Sequence, residues 1–203
     1  MLAAALLHLA PARATGPNTP SELASDAWLN SRAVQATLSS GAVAVRTIVN
    51  GKSSRGSVEA AIRIRASARA IWPLITQCQY AAWIIPGLKL CRVLEAAPDG
   101  SWADVEHIVR YSVFAPAMHS VFRADYHPPT RMDFHRIGGN LKHEVGSWSL
   151  LPSAGDTTTV VYQVSLQPGF WIPEFVAQRT LDKQLPAALL SLRKHAEESA
   201  ATE

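Results

Sequence analysis

The chain has 203 residues, of which 48% are apolar and 17% are charged, and its formal net charge is +3. That length suits one domain with a substantial core, and the composition is too apolar for a disordered chain. No stretch concentrates Lys and Arg with aromatic residues, so we expect no nucleic-acid partner. The 13 prolines and 11 glycines are typical of a protein with many turns, as an antiparallel sheet requires.

Residues 1–14 differ in character from the rest of the chain. An apolar run from Leu2 to Ala10 precedes Ala12-Arg13-Ala14, which matches the small-x-small pattern of a signal-peptidase site. We therefore predict a truncated signal peptide, a mature chain that begins at Thr15, and a periplasmic or otherwise exported protein. Because no Lys or Arg precedes the run, the alternative is a frayed tail on a cytoplasmic protein. No later segment is apolar enough to span a membrane, so we expect a soluble mature protein.

The chain contains two cysteines, Cys78 and Cys91. In an oxidising compartment such a pair tends to be bridged, and we predict a disulfide that stabilises the fold by about 3 kcal/mol. The alternative is two separate buried thiols. Neither cysteine lies in a CxxC motif or beside a histidine in the sequence, so we expect no zinc site and no thiol nucleophile.

The first half of the chain changes from helical to alternating periodicity and back. Helical spacing predicts a helix over 21–38, capped by Ser21 and anchored on the main domain by Trp28. Alternation then predicts a strand over 43–48, a turn at Asn50-Gly51 and a half-buried strand over 58–64. Two short helical segments are expected next, over 67–77 and 81–87.

The second half alternates almost throughout. The pattern predicts strands over 89–95, 102–114, 118–126, 131–137, 141–151 and 157–167, separated by turn residues. Their spacing is that of sequential hairpins, which indicates an antiparallel meander.

A long helix closes the chain. Pro173 is well placed to open it, an apolar stripe from Phe175 to Leu192 gives it a buried face, and Pro186 is expected to bend it.

Several short motifs accompany this order of elements. They are Trp72-Pro73-Leu74-Ile75, Trp83-Ile84-Ile85-Pro86-Gly87-Leu88, Pro128-Pro129-Thr130-Arg131-Met132-Asp133-Phe134, Gly146-Ser147-Trp148-Ser149-Leu150, Thr158-Thr159-Val160-Val161-Tyr162 and Leu185-Pro186-Ala187-Ala188-Leu189. Together they resemble the helix-grip fold of the START-like (SRPBCC) superfamily. That superfamily includes START lipid-transfer domains, polyketide cyclase and dehydrase relatives, coenzyme-Q-binding proteins and Bet v 1-type plant proteins.

The resemblance covers residues 41–196 and implies an α+β fold. In that fold a curved antiparallel sheet wraps around the long C-terminal helix, with two short helices after the first strands. We expect a signal peptide at 1–14, an N-terminal helical extension at 15–40 and the helix-grip domain at 41–200. The superfamily hosts transporters, cyclases and pure binding proteins, so the fold alone does not give the function.

No convincing catalytic set is present in the sequence, and we expect no catalytic residue, no metal and no cofactor. His107 and Tyr111 share a face of one predicted strand and could reach a cavity, although a core histidine is the simpler interpretation. Asp104 and Glu106 are expected to be solvated. Three arginines are expected on outward faces, where one could close a cavity mouth over an anionic headgroup; they are Arg110, Arg123 and Arg136.

The family geometry implies an apolar pocket between the sheet and the C-terminal helix. Its expected lining consists of Trp83, His107, Tyr111, Phe122, Phe134, Trp148, Tyr162, Phe175, Leu181, Leu185 and Leu189. The alternative for these residues is plain core, because large apolar side chains are buried in any case.

Three functions follow from these expectations. The first is binding or transport of a hydrophobic small molecule or lipid, with transient membrane contact. The second is a cyclase or aromatase that uses the same pocket, with His107 or Tyr111 moving protons. The third is a protein-interaction role beside a membrane transport system, through an apolar lip formed by Trp171-Ile172 and Ala81–Ile85.

Overall fold

The computed structural model of the protein describes residues 26–50, 55–110, 116–170 and 174–201. The strands are β1 (Ala44–Asn50), β2 (Arg55–Ile64), β3 (Leu88–Ala96), β4 (Trp102–Val109), β5 (Met118–His127), β6 (Arg131–Gly139), β7 (Leu141–Ser153) and β8 (Thr157–Pro168). The helices are α1 (Arg32–Ser39), α2 (Ala68–Thr76), α3 (Cys78–Ile84) and α4 (Glu174–Ala200). This is the predicted element order, and the fold is a curved antiparallel sheet with a long C-terminal helix.

All eight strands form one sheet in the order β1-β2-β8-β7-β6-β5-β4-β3. Strands β3 to β8 follow one another as the predicted meander, each antiparallel to the next. The β1–β2 hairpin lies at the other edge, because β2 pairs with β8 over Gly56–Ile64. Local alternation predicted the hairpin but not its neighbour, since that pairing joins segments about a hundred residues apart.

The predicted N-terminal helix is interrupted within the described residues. A helical turn at 26–29 is separated from α1 by a break at Asn30 and Ser31. The Ser31 hydroxyl accepts a hydrogen bond from the Val34 amide at 3.4 Å, so Ser31 is the helix cap. Residues 1–25 lie outside the described residues, including the predicted signal peptide, Thr15 and the expected cap Ser21.

Helix α1 covers the outer face of the sheet. Its buried residues Val34 and Leu38 pack against Ala61 of β2 and Val161 of β8. These strand residues point outward, because their neighbours Ala60, Ile62 and Val160 belong to the inner core. Trp28 packs at the same cluster, as the sequence predicted for an anchoring residue.

The two predicted short helices are present as α2 and α3. The Ser67 hydroxyl accepts from the Ala70 amide at 3.2 Å and caps α2. Pro73 lies inside this helix. Gly87, with φ of +77°, follows α3 and directs the chain into β3, a backbone conformation that favours glycine.

Helix α4 fills one half of the inner face. Leu189, Leu192 and Ala196 are fully buried against residues of β2, β7, β8 and α2. Pro186 lies inside α4 as predicted, and the bend expected there stays a prediction. A second cluster occupies the other half of the sheet, and it consists of Val58, Ala103, Val105, Phe122, Ala124, Met132, Phe134 and Val164. The candidate site is next to this second cluster.

Candidate functional site

A cavity of about 200 Å³ lies between the inner face of β3–β8 and the short helices. Its wall is formed by the end of α2, by α3 and by inward residues of the strands. The lining residues are Ile75, Thr76, Gln77, Cys78, Ala81, Ile84, Ile85, Cys91, Val105, His107, Val109, Met118, Ser120, Phe122, Tyr126, Met132, Phe134, Leu141, Glu144, Trp148, Tyr162, Val164 and Leu166. Most of these side chains are apolar, so the cavity suits an apolar ligand better than a polar one.

Aromatic rings on four neighbouring strands form one wall. The ring centroids of Phe122 and Phe134 are 5.7 Å apart, those of Phe134 and Tyr162 are 6.3 Å apart, and those of Trp148 and Tyr162 are 4.5 Å apart. All four rings line the cavity. Gly146 lies opposite Phe134 in the sheet, and a β-carbon there would collide with the Phe134 ring. The glycine therefore makes room for this wall.

Five of the predicted lining residues meet at the cavity, namely His107, Phe122, Phe134, Trp148 and Tyr162. Whether they touch a ligand stays a prediction. Tyr111 lies outside the described residues. The side chains of Phe175 and Leu181 also lie outside the described part of the chain.

Three other predicted lining residues do not line the cavity. Trp83 is 46% exposed and stacks on His195 of α4, with ring centroids 4.2 Å apart. The reason is helical periodicity, because α3 turns Ala81 and Ile84 inward and Trp83 outward. Leu189 is fully buried in the core under α4, and Leu185 packs between the two core clusters.

The predicted disulfide between Cys78 and Cys91 is present. It joins the first residue of α3 to β3, and both cysteines line the cavity. His107 lies beside it, with Nε2 3.2 Å from the Cys91 sulfur. These three residues could hold a metal ion by their spacing. As long as the two sulfurs are bonded to each other, however, they are not thiolate ligands.

His107 is a neutral imidazole at neutral pH. Burial lowers its pKa from 6.5 to about 4, since a charged ring is costly in an apolar cavity. A disulfide sulfur carries no hydrogen, so the contact with Cys91 places the ring hydrogen on Nε2 and leaves Nδ1 as an acceptor. The ring packs edge-on against Phe122, with centroids 5.0 Å apart.

One end of the cavity carries a polar group that was not predicted from the sequence. Glu144 of β7 lines the cavity and accepts a hydrogen bond from the hydroxyl of Ser120 on β5. Burial raises the pKa of the Glu144 carboxyl, while the Ser120 hydrogen bond and the charge of Arg136 oppose the rise. Alternation along β7 was the available signal, because Glu144 is in phase with the inward residues Gly146 and Trp148.

The outer face of β4 corrects another expectation. Asp104 and Glu106 were expected to be solvated, but they are only 8% and 9% exposed. Arg123 donates two hydrogen bonds to Asp104, at 2.7 and 2.9 Å, and lowers the pKa of that carboxyl. Arg92 and His119 donate to Glu106 and lower its pKa likewise. Long side chains of neighbouring strands cover these carboxylates, which one sequence segment cannot show.

The three arginines of interest have different surroundings. Arg110 is exposed. Arg123 lies on the outer face, with its guanidinium 3.9 Å from the Trp102 ring centroid, so it is outward as predicted. Arg136 is half-buried and donates from Nη2 to the Gly139 carbonyl at 3.1 Å. Its Nε is buried and has no hydrogen-bond partner among the described residues. Arg136 pairs with Phe122 of β5, which lines the cavity, so Arg136 lies on the inner face of the sheet and not on the outer face as predicted.

Within the described residues, no helix is long and apolar enough to cross a membrane.

Comparison with known proteins places the chain in a family. The sequence profile of the family described as polyketide cyclase / dehydrase and lipid transport matches residues 64–193. This match spans more than half of the chain, so the protein belongs to that family. No match was found among curated proteins.

Solved structures share the fold at low sequence identity. A STAR-related lipid transfer protein from Xanthomonas axonopodis is 18% identical with a TM-score of 0.63, over 76% of this chain and 93% of that one. Human STARD10 is 9% identical with a TM-score of 0.65, over 89% and 80%. The ZhuI aromatase/cyclase from Streptomyces sp. R1128 is 14% identical with a TM-score of 0.54, over 78% and 94%. These likenesses confirm the predicted helix-grip fold.

Proposed function

We propose that the protein binds and carries a hydrophobic small molecule or lipid chain in the cavity. The observation that supports this most directly is the apolar cavity itself, with its wall of four aromatic rings on neighbouring strands. A fully packed core would close such a space, since an empty void forfeits dispersion contacts. The family also includes lipid transport, and one fold neighbour is described as a lipid transfer protein.

The size of the cavity limits the ligand. About 200 Å³ is below the roughly 300–1,000 Å³ of pockets that enclose drug-sized ligands. The cavity therefore fits a single chain or a small ring system. A larger ligand would need α3 to move, and the disulfide at Cys78 limits that movement.

A filling substitution tests this proposal. Val164 is 6% exposed and lines the cavity, whereas Val145 on the neighbouring strand is 43% exposed. We expect V164F to weaken binding of the neutral apolar dye N-phenylnaphthylamine at least about tenfold, because the ring occupies the space that the dye needs. V145F is the matched control and should bind as the wild type does. Equal binding by the two variants, or no dye binding by the wild type, would contradict the proposal.

Native mass spectrometry of protein purified without detergent gives a second test. We expect a bound apolar species in the wild type and in V145F, and we expect it to be absent from V164F.

A cyclase activity is the second candidate. It is favoured by an imidazole inside the cavity, because the unprotonated Nδ1 of His107 can accept a hydrogen bond from a hydroxyl or enol group of a substrate. One fold neighbour is an aromatase/cyclase. If this activity exists, H107Q should abolish conversion of a linear poly-β-carbonyl thioester to an aromatic product and still bind the dye. A wild-type protein that binds the dye and leaves the thioester unchanged would favour the carrier.

Export is a further proposal, and it is supported by the disulfide, since such bridges persist in oxidising compartments. The test is the intact mass of protein released from the periplasm of an expression host. We expect a chain that begins at Thr15 and gains two hydrogens on reduction. Recovery only from the cytoplasm, with free thiols, would contradict export.

A further inference from the structure

The polar end of the cavity carries an inference about the ligand that rests on the proposed function. Its centre is Glu144, a half-buried carboxyl on the inner face of β7, in a cavity that is otherwise mostly apolar. Glu144 accepts a hydrogen bond from Ser120, whose side chain comes from β5, two strands away. A carboxyl placed in an apolar cavity costs free energy unless its hydrogen-bonding capacity is used. The Ser120 hydroxyl uses only part of the hydrogen-bonding capacity of this carboxyl group, because a carboxylate offers about four lone-pair positions.

The strand between these two residues is β6, where Gly139 pairs with Ser120. The β6–β7 pairing ends at His135 and Val145, so the adjacent β7 residue, Glu144, is not paired with β6. The carboxyl therefore lies where the sheet has opened, and the Ser120 hydroxyl holds it in place.

We propose that Ser120 and Glu144 form a recognition site for the hydroxyl group of a neutral amphiphile whose apolar part fills the rest of the cavity. A hydroxyl both donates and accepts, so it matches the carboxyl in either protonation state. It donates to a carboxylate, and it accepts from or donates to a carboxylic acid.

Charged headgroups fit this site less well. An ammonium or carboxylate headgroup would have to give up its hydration in a cavity whose lining is mostly apolar. Burying such a charge costs more free energy than burying a neutral hydroxyl that is hydrogen-bonded.

The apolar side of the cavity completes the match. The Met118, Met132 and Phe134 side chains line it together with valine and leucine side chains of β4 and β8. Unbranched methionines adapt to chains of different shape. The ligand class is therefore an alcohol with one polar end and an apolar chain or ring system.

The experiment compares ligands that differ only at the polar end. The measured quantity is the displacement of bound N-phenylnaphthylamine, first from the wild type. The competitors are decanol, methyl nonyl ether, decylamine and decanoate. We expect decanol to bind about tenfold more tightly than the ether, which accepts but cannot donate. Decylamine and decanoate should bind more weakly than decanol.

Variants then assign the preference to this site. E144M replaces the carboxyl with an apolar side chain of similar length, and decanol and the ether should then bind within about threefold of each other. Ser147 is a buried serine on the outer side of β7 that donates to Gln163, so S147A is the matched control and should keep the wild-type preference. If E144M does not fold, S120A is the alternative test. Without the Ser120 hydroxyl to position Glu144, the preference for decanol over the ether should fall about threefold.

Each other outcome overturns the inference. A wild type that binds decanol and the ether equally lacks a hydroxyl site, although the apolar cavity still binds both. A wild type that prefers decylamine or decanoate has a charged-headgroup site. An E144M protein that keeps the decanol preference has its hydroxyl site elsewhere. If neither the dye nor any of the ligands binds the wild type, the proposed carrier function itself fails.

Discussion

Protonation of His107 should limit the stability of this protein in acid. Burial lowers the pKa of the imidazole from 6.5 to about 4, so the unfolded chain takes up a proton at higher pH than the folded protein does. Stability is therefore full above pH 6.5 and falls as the pH drops towards 4. Since one pKa unit corresponds to about 1.4 kcal/mol, the complete effect is about 3 kcal/mol, and about 2.5 kcal/mol is lost at pH 4.5.

Urea denaturation of the wild type and H107Q at pH 7.5 and pH 4.5 measures this loss. Glutamine cannot titrate and keeps an N–H group for the Cys91 sulfur, so H107Q should lose about 2.5 kcal/mol less than the wild type does. The carboxylates with lowered pKa, such as Asp104 and Glu106, also lose stability in acid, but they are the same in both proteins and cancel. H127Q, which changes an exposed histidine outside the cavity, is the control. Equal losses in H107Q and the wild type would refute the reasoning.

Other substitutions test the core, the cavity wall and the disulfide by the free energy of unfolding in urea. L189A should cost about 2–5 kcal/mol because Leu189 is fully buried, whereas L190A should cost less than about 0.5 kcal/mol because Leu190 is 41% exposed; similar losses would contradict the placement of α4. G146A should cost about 1–3 kcal/mol or more, since its methyl group would collide with the Gln163 carbonyl oxygen and with the Phe134 ring, and an unchanged stability would contradict this close packing. The double variant C78A/C91A should lose about 3 kcal/mol of stability, and treatment of the wild type with a thiol reductant should reproduce the loss; no effect of either would show that the bridge does not stabilise the fold.

Elements with strong local periodicity could be predicted from the sequence. Alternation along β4 predicted that His107 could reach a cavity, and His107 lines the cavity together with Val105 and Val109. The aromatic residues of β5 to β8 were assigned to the cavity from the geometry that the family resemblance implies. A period of two places every second side chain on one face, whatever the rest of the chain does.

Predictions that needed three-dimensional neighbours were less successful. Trp83 was expected in the cavity, but α3 turns it towards His195. Asp104 and Glu106 were expected in water, but arginines of adjacent strands cover them. The carboxylates are covered by side chains from other strands, which no local pattern reports, whereas the helical period of α3 was a local signal for the outward position of Trp83.

The sequence by itself determined the order and type of the elements and the family, because these depend on periodicity and short motifs. The disulfide was also predicted, from the presence of only two cysteines and the expected compartment. Only the tertiary structure decided that β2 pairs with β8, that the disulfide lies beside His107, and that Ser120 reaches Glu144 across β6. These contacts join residues 16 to 110 positions apart, and they form only when the sheet curves around its core.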